Sequence, residues 1–153
     1  MGEKGYRGDR MQECLVSLFD AVAGRKADTL VTEAGNIGLA GNADLLVFNG
    51  HNGLMDYYDI KFLNSADQRK REVAVIRCAS KSCFNPHLKY VGGYPLLMTT
   101  NLMAPEAYVM EGVINSWAMA EDGASVRQAA GAAYHKYQNC GLKRATYLFS
   151  TGW

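Results

Sequence analysis

The chain carries almost no excess charge. Its 16 Lys and Arg stand against 15 Asp and Glu, a formal net charge of +1 over 153 residues, and neither sign gathers into a stripe. A nucleic-acid surface needs clustered cations to meet phosphates, so no partner of that class is expected. The longest charged run, Arg69-Lys70-Arg71-Glu72, reads as a solvated lead-in to a strand. Long hydrophobic stretches are missing too. No apolar run approaches the ~20 residues that cross a bilayer, so no membrane partner is expected either. The opening Met1-Gly2-Glu3-Lys4-Gly5-Tyr6-Arg7-Gly8 lacks the apolar centre of a signal peptide. It also has Tyr6 where a myristoylation signal has Ser or Thr. Cysteines are few: Cys14, Cys78, Cys83 and Cys140. A chain of this length and apolar content can bury a core without disulfide staples. Free thiols in a reducing, cytoplasmic setting are therefore expected. The spacing of Cys78, Cys83 and His87 fits no familiar zinc pattern, and neither a metal nor another cofactor is expected. Internal repeats and low-complexity linkers are absent, which leaves a single domain over 1–153.

What is present is an alternation of helical and strand patterns. Asp9 with Gln12 reads as a capping box for a helix whose apolar face is Met11, Leu15, Leu18, Phe19 and Val22, stopped by Gly24. A short β-prone run, 29–32, follows. The glycine-rich 35–42 reads as a plain connector, because no helix N-terminus follows it to hold a phosphate. Strands are expected at 44–48, 72–77 and 95–100. Between the first two, residues 54–63 suggest a small hairpin or an arm lying over the sheet edge. Asn85-Pro86-His87 and Gly92-Gly93 read as a loop. Pro105 suits the first turn of a helix with the stripe Val109, Met110, Val113, Ile114 and Trp117. Ser125 with Gln128 forms a second capping-box pattern, opening a helix that ends at Gly141. Residues 145–150 fit either a last strand or a helical extension. Strands alternating with helices predict a mostly parallel sheet with helices on its faces, an α/β layered sandwich.

The chemistry lies at two strand ends. Asp44-Leu45-Leu46-Val47-Phe48 runs into Asn49-Gly50-His51-Asn52-Gly53, and Glu72-Val73-Ala74-Val75-Ile76-Arg77 runs into Cys78-Ala79-Ser80. Ligands of open α/β sheets bind outside the carboxyl ends of the strands. If the two strands are neighbours, an imidazole and a thiol share that edge, the pairing of a thiol nucleophile with its base. Gly53 lets backbone approach a substrate carbonyl, and its N–H with that of Cys78 forms a candidate oxyanion hole. Taken singly, a strand-end cysteine or histidine is more often structural; the joint pattern carries the reading. Cys83 is the rival nucleophile and His87 and His135 are rival bases, each better read as a packing or surface residue, as are Cys14 and Cys140. Asp56 and Asp59 could line a pocket for a basic group or belong to a solvated hairpin.

These residues resemble the C-terminal part of a caspase-like, clan CD cysteine peptidase domain, the group of caspases, legumains, clostripain, gingipains and separases. The resemblance runs from about Asp9 to Trp153. It rests on a His and Gly after one hydrophobic strand and a Cys followed by small residues, Cys78-Ala79-Ser80-Lys81-Ser82, after the next. The strand ending Met98-Thr99-Thr100-Asn101 before Pro105 is a further likeness. His51-Asn52-Gly53-Leu54-Met55-Asp56 is similar to a motif of uncharacterised bacterial outliers of the group. The resemblance implies a three-layer caspase-like sandwich. It also implies Cys78 as nucleophile, His51 as base, Gly53 and Cys78 as oxyanion donors, and cleavage of a peptide or protein substrate through an acyl-enzyme. The alternative is a catalytically silent caspase-like domain used for binding or assembly, and an unrelated α/β protein is a third reading. Two departures stand out. Asn52 separates His51 from Gly53, and the strand–helix–strand that normally precedes the first helix is missing. The chain is then either a piece of a longer protein or a divergent member with a reduced sheet. An exposed sheet edge in such a piece would favour a homo-oligomer.

Overall fold

A computed structural model describes residues 2–56 and 60–153. The strands among these residues fall into two sheets. A small antiparallel one pairs β1 (Ala27–Thr32) with β2 (Gly35–Ala40). The larger has the order β3-β4-β5-β6, from β3 (Leu45–Asn49), β4 (Arg71–Ile76), β5 (Gly93–Thr99) and β6 (Phe149–Ser150). In it β3, β4 and β5 run parallel, and β6 is antiparallel to β5. The expected mixed α/β chain with a mostly parallel sheet is thus observed.

Side-chain alternation along β4 sorts the core. Val73 and Val75 meet Leu15, Phe19 and Val22 of α1 (Met11–Val22) and Phe84, Leu88 and Val91 of α2 (Ser80–Val91). Ala74 and Ile76 meet Val109 and Val113 of α3 (Ala107–Ala118) and Val126 and Ala130 of α4 (Gly123–Gln138). A strand buried on both faces has no solvated side to mark with polar residues, which is why 73–76 reads as a continuous apolar run. The register between β4 and β5 slips after Val73, whose partner is Pro95, to Ala74, whose partner is Leu97. Leu96 is the extra residue of this bulge. It lets Leu96 and Leu97 both enter the core on the α3–α4 face while Met98 returns to the other. No helix among the described residues is long and apolar enough to cross a membrane.

Several local expectations are corrected. The connector at 35–42 is largely strand β2. Its two-residue turn, Glu33-Ala34, lacks the Asn-Gly or Asp-Gly signature that advertises a hairpin. The loop at Asn85-Pro86-His87 lies inside α2, where Phe84, Leu88 and Val91 recur at helical spacing and outweigh the single proline. Asp9 does not cap α1; its carboxylate pairs with Arg7 at 3.1 Å. The cap of α4 is Asp122, which accepts from the Ser125 N–H at 2.8 Å, one turn ahead of the Ser125–Gln128 pattern. That helix ends at Asn139, left-handed at φ +50°, and Gly141 N–H then donates to His135 Nδ1 at 3.1 Å. Pro105 lies just outside α3 rather than in its first turn. Residues 145–150, read as either a last strand or a helical extension, hold both: the end of α5 (Leu142–Tyr147) and then β6. The arm read at 54–63 falls partly outside the described residues. Its described part is a 3-10 turn, Gly53–Met55, and irregular chain whose Phe62 ring lies 4.0 Å from that of Phe19.

Candidate functional site

β3 and β4 are adjacent and parallel, with Asn49 opposite Ile76, so the segments beyond them leave the sheet side by side. Gly50 N–H continues the ladder to Ile76 O at 3.3 Å. Gly50 has φ +145°, which a side chain would resist. Asn52 then turns inward. It is 1% exposed, and its Nδ2 donates to Cys78 O at 2.7 Å. The residue that interrupts the His-Gly pair is therefore the tie between the two segments. His51 points to solvent, with Nε2 2.6 Å from Asp56 Oδ2. Asp56 is brought there by the 3-10 turn, its N–H donating to Gly53 O at 3.1 Å.

Cys78 occupies a strand–turn–helix corner. The turn residue Ala79 is left-handed, φ +46°, and directly precedes α2. Alanine resists that conformation, so the corner needs clamps. Ala79 N–H donates to Asn101 O at 2.9 Å. Ser80 Oγ donates to Val75 O at 2.8 Å and accepts from Thr99 N–H at 2.8 Å, while the Thr99 hydroxyl donates to Arg77 O. Ser80 and Thr99 are both fully buried. The thiol is half-buried, with Sγ 3.4 Å from both the N–H and the carbonyl oxygen of Met103.

The structure thus gathers His51, Asn52 and Cys78 at one edge, but the side-chain hydrogen bonds of the imidazole and the thiol run to Asp56 and Met103, not to each other. Gly53 N–H donates to His51 O at 3.1 Å, and a Cβ at Gly53 would collide with Met11 of α1. That glycine meets the packing of α1. Cys78 N–H has no hydrogen-bond partner among the described residues. Of the rivals, Cys83 lies in the first turns of α2. His87 stands edge-on to Phe19 and Phe62, and burial lowers its pKa. His135 holds the end of α4. Burial raises the Cys14 thiol's pKa. Asp59 lies outside the described residues.

Beside Cys78 and pointing to the opposite face is Arg77, which is fully buried. Its guanidinium lies 3.3 Å from the Phe48 ring centroid and 5.1 Å from that of Phe84. None of its three nitrogens has a hydrogen-bond partner among the described residues. Burial pulls its pKa down to about 9, against a counteracting pull from Cys14, Cys78 and Cys83.

Sequence reasoning missed Asn52 as a tie, Asp56 as the partner of His51, the Ser80–Thr99 clamp and the Met103 cradle. Only Arg77 had a usable signal. Strand alternation through Val73 and Val75 places position 77 on the core side. Compared with known proteins, the chain matches no family model, no curated protein and no solved structure.

Proposed function

We propose that the protein is a cysteine peptidase of the caspase-like type, with Cys78 as nucleophile and His51 as base. The observation that carries this reading is the shared edge. Parallel neighbours deliver an imidazole and a thiol, and Asn52 ties the two segments across 2.7 Å. The His51–Asp56 pair orients the ring. A proton on Nε2 faces the carboxylate, and Nδ1 is then the nitrogen free to take a proton. In the proposed reaction Cys78 Sγ attacks the peptide carbonyl carbon while His51 takes the thiol proton. The oxyanion forms beside the unengaged Cys78 N–H. Collapse breaks the C–N bond, His51 returns its proton to the departing amine, and a thioester remains. Water, deprotonated by His51, then releases the acid and restores the thiol. With Gly53 N–H committed to His51 O, a second oxyanion donor requires that turn to open when substrate binds.

That commitment, with the thiol held by Met103, favours a second reading, a silent caspase-like domain used for binding. Iodoacetamide at neutral pH separates the two. The peptidase reading expects Cys78 to alkylate ahead of Cys14, Cys83 and Cys140. His51→Ala should slow that step roughly tenfold or more, and Asp56→Asn by a smaller factor. Peptide-library cleavage should vanish in Cys78→Ala. Four cysteines reacting alike, with no cleavage, would leave the binding reading.

A further inference from the structure

At the opposite end of the sheet from Cys78, a cavity of about 510 Å³ opens where β4 and β5 begin, between the end of α3, the start of α4 and the segment after β6. Its volume lies within the range of small-ligand sites. Glu72, Glu121 and Asp122 line it, and none of them makes an ion pair among the described residues. Neutral donors hold each in place: Trp117 Nε1–H to Glu72 Oε2 at 2.6 Å, the Ser116 hydroxyl to Glu121, and Ser125 N–H to Asp122 Oδ1 at 2.8 Å. The carboxylates are thereby aimed without being neutralised.

Aromatic faces complete the walls. Trp117 and Tyr94 line the cavity, and the Trp153 ring meets Tyr94 edge-on, 6.5 Å between centroids. One cation of the chain already uses this surface. The Lys70 ammonium sits 3.9 Å from the Tyr94 ring centroid. An aromatic face carrying an ammonium, next to carboxylates without counter-ions, describes a site for organic cations. We propose that this cavity binds a primary alkylammonium group, with Lys70 holding its place over Tyr94 until the ligand arrives. The proposal does not depend on the chemistry of Cys78.

Both tryptophans of the chain, Trp117 and Trp153, belong to this surface, so intrinsic fluorescence reports on it. The full chain is titrated with spermidine and, separately, with the peptide acetyl-Gly-Lys-Gly-amide. The two arms distinguish a free polyamine from a lysine side chain. Expected is a saturable change in at least one arm, with 1,6-hexanediol inactive. Lys70→Gln should tighten binding several-fold by freeing the Tyr94 face. Glu72→Gln with Glu121→Gln keeps both hydrogen-bond acceptors and should weaken binding by roughly tenfold. Glu121→Gln alone, at the less enclosed position, guards against a double variant that misfolds. No saturation in either arm, an equal response to hexanediol, or undiminished affinity in the folded Gln variants would overturn the proposal.

Discussion

An arginine that gives up its water without gaining an acceptor costs a fold several kcal/mol, and Arg77 is so placed, stacked on Phe48 with its nitrogens unpartnered among the described residues. Arg77→Met keeps most of the volume and removes the charge, so it should raise stability by about 1–4 kcal/mol. The pH dependence has a definite sign. The folded-state pKa, about 9, lies below the unfolded one, so the penalty is complete below that value and is relieved as pH rises through it. The advantage of the Met variant should hold steady from neutral pH to about 9 and narrow above it, as urea unfolding at the two ends will show. A wild type more stable than Arg77→Met at neutral pH would mean that the guanidinium has an acceptor in solution. At this scale the sequence disclosed His51 and Cys78, because strand ends can be read from apolar runs. It did not disclose Asp56 or Asn52. Their bonds depend on how one 3-10 turn folds back, and no periodic pattern records that.

At the scale of elements, α2 shows where local punctuation misleads. Pro86 sits exposed within the helix, and proline there lacks the N–H for its turn and crowds the preceding one. Read locally, Asn85-Pro86-His87 is a loop. Packing decides otherwise, since Phe84, Leu88 and Val91 are all fully buried against β4 and β5. Pro86→Ala should therefore stabilise the protein. The restored helical bond outweighs the unfolded-chain entropy that proline removes, for a net gain of about 1–2 kcal/mol, visible as a raised denaturation midpoint. A loss would mean that the proline shapes the corner holding Cys78. The β1–β2 hairpin was legible only in part, as the β-prone run at 29–32 inside β1, while its second strand was read as a connector, and the reason is the opposite one. Its residues are mostly exposed and its turn is unmarked, so neither burial pattern nor turn chemistry recorded that the two strands pair. The long apolar strands β4 and β5 were plain because burial on both faces wrote them as continuous runs.

Across the whole molecule, the part least legible in the sequence is the link between the small hairpin and the main sheet. Arg71, 1% exposed, looked like one charge in a solvated run. Instead it donates to Gly41 O beyond β2 at 2.7 Å, to Val22 O at the end of α1 at 3.3 Å, and to both Asp67 oxygens at 2.9 and 2.6 Å. One side chain thus joins the hairpin, the first helix and the central strand. The Arg71 guanidinium, followed by the Arg69 backbone N–H, holds the Asp67 carboxyl well below the usual carboxylate range. A depressed folded-state pKa contributes stability that is complete above the ordinary carboxyl range and lost as pH falls below it. Asp67→Asn should accordingly lower the thermal midpoint at neutral pH. The gap between variant and wild type should begin to close below about pH 4, where the unfolded wild-type chain takes up a proton at Asp67 that the folded state still refuses. Thermal unfolding followed from neutral pH to about pH 2.5 tests this. A gap that stays constant over that range would show that Arg71 is held by the backbone carbonyls alone. A gap that closes would place the acid sensitivity of the hairpin–sheet junction in this one ion pair.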